Sequence, residues 1–118
     1  MKSLFYILLA CTATLLACSD HQSDEKNAFY IDSIATPEGL TAEVAALDAL
    51  PDGRIVATFM RGEVMIYNPE TKEWKLFASG LHEPLGIKAI SDKEMLVMQL
   101  PELTRITDTD NDGEADLF

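Results

Sequence analysis

Five acidic side chains crowd one stretch of the chain: Asp108, Asp110, Asp112, Glu114 and Asp116, with Asn111 and Gly113 between them. Counted from Asp108, acids occupy positions one, three, five and nine of a loop, and glycine occupies position six. Alternate side chains in such a loop turn inward around a shell of oxygens about 2.4 Å from a divalent ion, and the glycine permits the sharp reversal in the middle. Glu114, at position seven, would offer its backbone carbonyl. The spacing predicts a calcium site on these residues. Magnesium suits it less, because that ion prefers to keep its waters. The bidentate acid of a twelve-residue calcium loop would fall beyond Phe118. The flanks read as strand rather than as the paired helices of an EF-hand. The alternative is an ordinary solvated acidic turn.

A second chemical signal lies at the other end. Met1 and Lys2 precede the apolar stretch Leu4 to Leu16, which ends in Leu15, Leu16, Ala17 and Cys18. The stretch has secretory-signal length and is short for a bilayer span. Its end resembles a bacterial lipobox, in which a small residue admits the peptidase and the following thiol takes a diacylglycerol. Residues 1–17 are therefore expected to be a lipoprotein signal peptide, with Cys18 lipidated. Leu16 is an imperfect residue for its place. Leu8 to Cys11 has the same form after too short an apolar run. Lipid at Cys18 would anchor the protein in the bacterial cell envelope, facing the periplasm or exterior. Residues 18–36 are expected to form a flexible tether, because Ser19 to Asn27 carries almost nothing to bury, and His21 there is simply solvated.

Other chemistry is thin. His82 stands in the run Gly80, Leu81, His82, Glu83, Pro84, Leu85, Gly86, and could serve as a general base toward a sugar hydroxyl. The blander reading is a histidine that hydrogen-bonds across a turn. Arg61 and Arg105 could pair with a cofactor carboxylate, although surface roles are the simpler reading. Trp74 with Tyr67 and Phe77 reads as core, with a sugar-stacking platform as the functional alternative. The chain contains no phosphate loop, dinucleotide fingerprint or serine elbow.

Composition narrows the field further. The chain has 118 residues, 47% of them hydrophobic, with 9 Lys plus Arg against 20 Asp plus Glu for a formal charge of -11. Such a balance repels phosphate backbones and excludes nucleic acid as a partner. Both cysteines, Cys11 and Cys18, lie near the start, which leaves the body without a disulfide framework, a thiolate metal cage or a haem attachment motif. Only two histidines, His21 and His82, are present, so a multi-histidine zinc site is not expected.

The loop and the histidine must be held by strands. Val44 to Leu50, Ile55 to Met60, Glu63 to Tyr67 and Trp74 to Ala78 are short apolar-rich or alternating runs. They are separated by Pro51, Asp52, Gly53, by Arg61, Gly62 and by Asn68, Pro69, Glu70. Trp74, Leu76 and Ala78 are expected on one face. The pattern recurs forty residues on: Leu47 matches Ile87, Ala49 matches Ala89, Ile55 matches Met95, Val56 matches Leu96, Ile66 matches Ile106 and Asn68 matches Asp108. Four strands every ~40–45 residues is the period of a propeller blade. The expected fold is all-β: residues 37–118 form about one and three-quarter four-stranded blades of a β-propeller. Propellers close with ~4–8 blades, so the chain is expected to be the N-terminal piece of something longer. A complete seven-stranded β-sandwich is the alternative.

The run from Leu50 to Phe118 resembles the start of a bacterial propeller family related to glucose/sorbosone dehydrogenases, some of whose members are fused to c-type cytochromes. The likeness rests on Leu50, Pro51, Asp52, Gly53, Arg54, on Phe77 to Gly86, and on Pro101, Glu102, Leu103, Thr104, Arg105 leading into the acidic loop. That loop is also similar to the Asp-rich calcium turns of extracellular repeat proteins. The resemblance implies a propeller whose central face holds pyrroloquinoline quinone and a sugar or polyol substrate. Its partners would be the rest of the propeller or a c-type cytochrome. The alternative function is a non-catalytic lipoprotein that binds glycans or another protein.

Overall fold

A computed structural model describes residues 29–118. The expected signal peptide over 1–17, Cys18 and His21 fall outside the described residues. The chain divides into a unit ending at Ser33 and a unit running from Ile34 to Phe118. In the first, Phe29, Tyr30 and Ile31 carry no regular secondary structure and are 87%, 85% and 91% exposed.

The second unit is all-β, with seven strands: β1 (Val44–Ala49), β2 (Ile55–Phe59), β3 (Val64–Asn68), β4 (Glu73–Ala78), β5 (Gly86–Ala89), β6 (Glu94–Met98) and β7 (Leu103–Thr107). They form two antiparallel meanders, a four-stranded sheet β1-β2-β3-β4 and a three-stranded sheet β5-β6-β7. Turn chemistry explains the short connections. Gly53, at φ +91°, closes the β1–β2 turn where its N–H meets the Leu50 carbonyl. Gly62, at φ +109°, packs so closely that a Cβ there would collide with the Leu81 carbonyl, while Leu81 N–H donates to the Gly62 carbonyl at 3.2 Å.

Pairing fixes which side chains share a face. Leu47, Ile55, Ala57, Met65, Tyr67 and Trp74 stand on the front of the first sheet, and Asp48, Val56, Thr58, Val64 and Ile66 stand on its back. A bulge between Val64 and Met65 breaks the alternation in β4. Trp74 and Leu76 therefore lie with the front cluster of Ala57, Phe59 and Met65, whereas Phe77 and Ala78 both enter the back cluster. The expectation that Ala78 shares a face with Trp74 and Leu76 is thus corrected. Phe77 likewise packs apart from Trp74, which touches Tyr67 and Phe59 at ring centroid separations of 5.0 and 6.0 Å.

The back of the first sheet meets the second sheet in the main core of Val56, Val64, Ile66, Phe77, Leu81, Met95, Val97 and Ile106. The repeat can now be placed in three dimensions. Ala49 pairs Ile55 as Ala89 pairs Met95, an offset of forty, but Ile55 pairs Tyr67 as Met95 pairs Ile106. The second hairpin of the repeat is one residue shorter, so Ile106 corresponds to Tyr67 and not to Ile66. Ala57, Met65 and Tyr67 on the front of the first sheet then correspond to Val97, Thr104 and Ile106, which face the core. The two sheets pack front to back. They approach most closely at their first strands, where Cα atoms of β1 and β5 come within 8 Å, and diverge toward β4 and β7. Thr58 is fully buried at this interface, and its hydroxyl has no hydrogen-bond partner.

Candidate functional site

Short turns place functional side chains at two opposite ends of the second sheet. At one end the chain leaves β7 and forms the acidic loop. Asp108 organises it from a buried position: one carboxylate oxygen accepts Asn111 N–H at 2.7 Å and the other accepts Gly113 N–H at 2.9 Å. Asp110 and Asp112 accept the N–H of Asp112 and Glu114 at 3.3 and 2.8 Å. These turns bend the backbone through left-handed conformations at Asn111, φ 68°, and Gly113, φ 89°. Asp116 closes the loop by accepting the Thr109 hydroxyl and N–H. The Thr109 hydroxyl bond holds the Asp116 carboxyl below the usual carboxylate range.

Carboxylate oxygens of Asp108, Asp110 and Asp112 lie within 4.8 Å of one another, with Asp108 buried and the other two exposed. Glu114 is exposed and stands outside this trio, as does Asp116. The structure thus gathers three of the five expected ligands and uses Asp116 as a clasp. An all-oxygen set of this kind suits a hard divalent cation.

Two lysines that the sequence pattern did not single out complete the surroundings. Lys93, in the β5–β6 turn, donates to the Asn111 side-chain oxygen. Lys75, on the back of β4, donates to the Asp112 carbonyl at 2.7 Å. Ala115 N–H donates to the Phe77 carbonyl at 2.6 Å, and Ala115 packs on the main core. The loop follows the second sheet in sequence but is fastened to the first. A cleft of about 210 Å³ lies there, lined by Arg54, Lys75, Phe77, Asp92, Lys93 and Asp108 among others.

His82 sits at the opposite end. It is exposed, its backbone N–H donates to the Gln99 side chain at 2.6 Å, and its Nδ1 lies 3.1 Å from the Leu100 carbonyl. A carbonyl accepts only, so Nδ1 carries the proton in this bond and Nε2 is turned away from it. Leu100 N–H returns a bond to the His82 carbonyl at 2.9 Å, while Asp108 N–H bonds the Lys93 carbonyl. His82 is thus tied to Leu100 and the acidic loop to Lys93, a separation along β6 of roughly 20 Å. The structure does not bring the histidine and the acidic loop together. Among the described residues no carboxylate hydrogen-bonds the imidazole. Arg61 is exposed in the nearby β2–β3 turn, and Arg105 pairs with Glu94 at 3.3 Å on the outer face of the second sheet.

Between the sheets, Asp48 joins the first strands. Its Oδ2 accepts Lys88 Nζ at 2.7 Å and Ala89 N–H at 2.8 Å. The Lys88 bond, followed by the Ala89 and Ala49 N–H bonds, brings the Asp48 carboxyl down to about 2. Beside Trp74, whose indole N–H donates to the Ala35 carbonyl at 2.8 Å, runs a groove of about 820 Å³ that includes Thr36, Met65, Lys72 and Glu73. Comparison of the chain with protein-family models, with curated proteins and with solved structures returns no match.

Proposed function

We propose that this chain forms the opening blades of an envelope-anchored β-propeller, tethered through lipid at Cys18, with the Asp108 to Asp116 loop as its calcium site. The observation that carries the reading is the front-to-back packing of two equivalent meanders that diverge from their first strands. A radial array needs that relation, whereas two sheets of a self-contained sandwich have no reason to present non-equivalent faces of one repeat. In the loop, Asp108, Asp110 and Asp112 would hold the ion through carboxylate oxygens. The ion would relieve the repulsion among three acids crowded within 4.8 Å. Lys75 and Lys93 steady the loop's outer oxygens. The loop and β4 are fastened together, so ion binding should strengthen the contact between blades.

The biochemical context, taken from the resemblance, is quinone-dependent oxidation of a sugar or polyol. Pyrroloquinoline quinone is a planar tricarboxylate and needs several cations around one flat pocket. Among the described residues the turns at the His82 end offer Arg61 alone, so these blades do not fit that cofactor by themselves. The reading gives them the part of frame and calcium site in the larger assembly. The second reading is a non-catalytic glycan- or protein-binding lipoprotein. It is favoured by the imidazole of His82 being held, among the described residues, by the Leu100 backbone carbonyl rather than by a carboxylate, and by the groove beside Trp74.

Thermal unfolding of the full chain with and without millimolar calcium tests the site. Calcium should raise the midpoint, magnesium should do less, and Asp110→Asn with Asp112→Asn should abolish the difference. Equal shifts in native and variant chains would leave only an acidic turn. Dye reduction after addition of quinone and sugars separates the two contexts. Lipid at Cys18 is read by incorporation of labelled fatty acid, which should disappear in Cys18→Ser.

A further inference from the structure

The groove beside Trp74 has the make-up of a ligand site, and every residue that lines it belongs to the unit running from Ile34 onward. Its volume of about 820 Å³ falls among pockets that bury a small ligand, about 300–1,000 Å³. Two stretches of chain border it. One is Ala35–Glu38, ahead of β1. The other runs through the β3–β4 turn into β4 and contributes Asn68, Thr71 and Glu73. Met65 and Trp74 bring the front of the first sheet to the same groove.

Trp74 is held as a fixed platform. Its indole N–H donates to the Ala35 carbonyl at 2.8 Å, and Tyr67 and Phe59 lie against its ring at the separations given above. The ring stays only partly buried, and the part left uncovered lines the groove. An aromatic face carries partial negative charge and attracts the faintly positive C–H groups of a sugar ring. The turn across from it is fixed as well. The Asn68 side-chain oxygen accepts the N–H of Glu70 at 2.9 Å and of Thr71 at 3.4 Å, and Lys72, at a left-handed φ of 60°, donates its N–H to the Asn68 backbone carbonyl at 2.8 Å. The amide nitrogen of Asn68 carries two further donors, the hydroxyls of Thr36 and Thr71 both donate and accept, and the carboxylates of Glu38 and Glu73 accept. A sugar hydroxyl also donates and accepts, so this mixed lining suits it. Charge then selects among sugars. Arg54 is paired with Asp52 at 2.6 Å and Lys75 with the Asp112 carbonyl at 2.7 Å, which sets Lys72 against Glu38 and Glu73 in the groove. An anionic ligand would meet net repulsion there.

We propose that this groove binds a neutral, gluco-configured oligosaccharide, with one ring stacked on Trp74 and the hydroxyls of neighbouring rings bonded to the Asn68, Thr71 and Glu73 side chains. Equatorial substituents leave the faces of a gluco ring lined by C–H alone, as stacking requires. The proposal gives the second reading above its ligand and rests on that reading, not on calcium, lipid or quinone.

Trp74 is the chain's one tryptophan, so its emission reports on the groove directly. The full chain, kept in a detergent without a sugar head group, is titrated with cellotetraose, maltotetraose and glucose. At least one tetrasaccharide should change the emission saturably at millimolar concentration or below, and glucose should bind at least about tenfold more weakly. Thr71→Ala with Glu73→Ala alters exposed positions outside both hydrophobic clusters. It should weaken binding at least about tenfold while leaving the melting midpoint in place. Trp74→Phe, followed by calorimetry, should weaken binding likewise, and if that variant fails to fold the surface pair decides alone. No saturable change with either tetrasaccharide, glucose binding as tightly as they do, or binding unchanged in the surface pair would each overturn the proposal. Such a failure strikes the saccharide and leaves the protein-binding form of the second reading standing, while the calcium shift and dye reduction are read in separate measurements.

Discussion

Replacing Asp48 separates two contributions that meet at one carboxylate oxygen. Asp48 Oδ2 accepts the Lys88 ammonium at 2.7 Å and the Ala89 N–H at 2.8 Å, and both donors belong to β5 across the sheet interface. The Lys88 side chain is 66% exposed, so its ion pair is worth about 0–1 kcal/mol. The Ala89 bond is part-buried and charge-assisted, a class worth about 1.5–3 kcal/mol. Asp48→Ala removes both and should cost about 2–3 kcal/mol. Lys88→Met removes only the ion pair and should cost under about 1 kcal/mol. Asp48→Asn keeps an acceptor for Ala89 and should fall between them. The pH dependence has a definite sign. The folded carboxyl lies at about 2, below the ordinary unfolded value near 3.9, so the folded state resists protonation. The stabilisation is fully present above about pH 4 and is lost as pH falls through about 2. Urea unfolding of native chain and variants at pH 7, and again between pH 2 and 5, measures each quantity. The native advantage over Asp48→Asn should shrink only in the acid range. If Lys88→Met costs as much as Asp48→Ala, or if the advantage is flat from pH 5 to 2, the assignment of Asp48 as the clamp between first strands is wrong.

Three further substitutions have clear directions. Gly62→Ala sets a methyl group into the Leu81 carbonyl at a left-handed φ, and should cost at least about 3 kcal/mol in a urea melt. Phe77→Ala should cost about 3–5 kcal/mol, and Leu76→Ala distinctly less, because the bulge turns the first into the main core and leaves the second partly buried on the front. Thr58→Val removes a buried hydroxyl without a partner, keeps the shape, and should raise stability by about 1 kcal/mol. No gain in midpoint would mean that the hydroxyl is satisfied by water.

Strand positions were legible in the sequence because turn residues bound them tightly. Pro51, Asp52, Gly53 and Asn68, Pro69, Glu70 fall between the strands they were expected to separate. The alternation rule failed at Ala78 because a bulge adds one residue to β4, and a bulge leaves no mark in a polar and apolar pattern. The repeat was visible, but its register slipped by one at β7, since a hairpin shortened by one residue keeps apolar residues at both Ile66 and Ile106. At the acidic loop, spacing picked out Asp108, Asp110 and Asp112, which converge. It could not distinguish them from Asp116, whose carboxylate is spent on Thr109. Nor could it find Lys75, whose part depends on a strand more than thirty residues away folding against the loop.

Front-to-back packing has a consequence for growth and inheritance. A face-to-face pair saturates at two, because its twofold partner uses the only sticky surface. A directional pair has unlike surfaces on its two sides, so every unit joined to the row makes the same contact as the last and leaves the same surface behind. Whole units of this length could then be duplicated or deleted within a gene without redesigning any contact, since the newcomer already fits its neighbours. Changes at the shared contact are restricted in a corresponding way. A residue such as Val56, buried where the two sheets meet, should then drift in step with the residues it meets across the contact, such as Met95 and Val97, whereas its counterpart Leu96 stands on the other face of the second sheet.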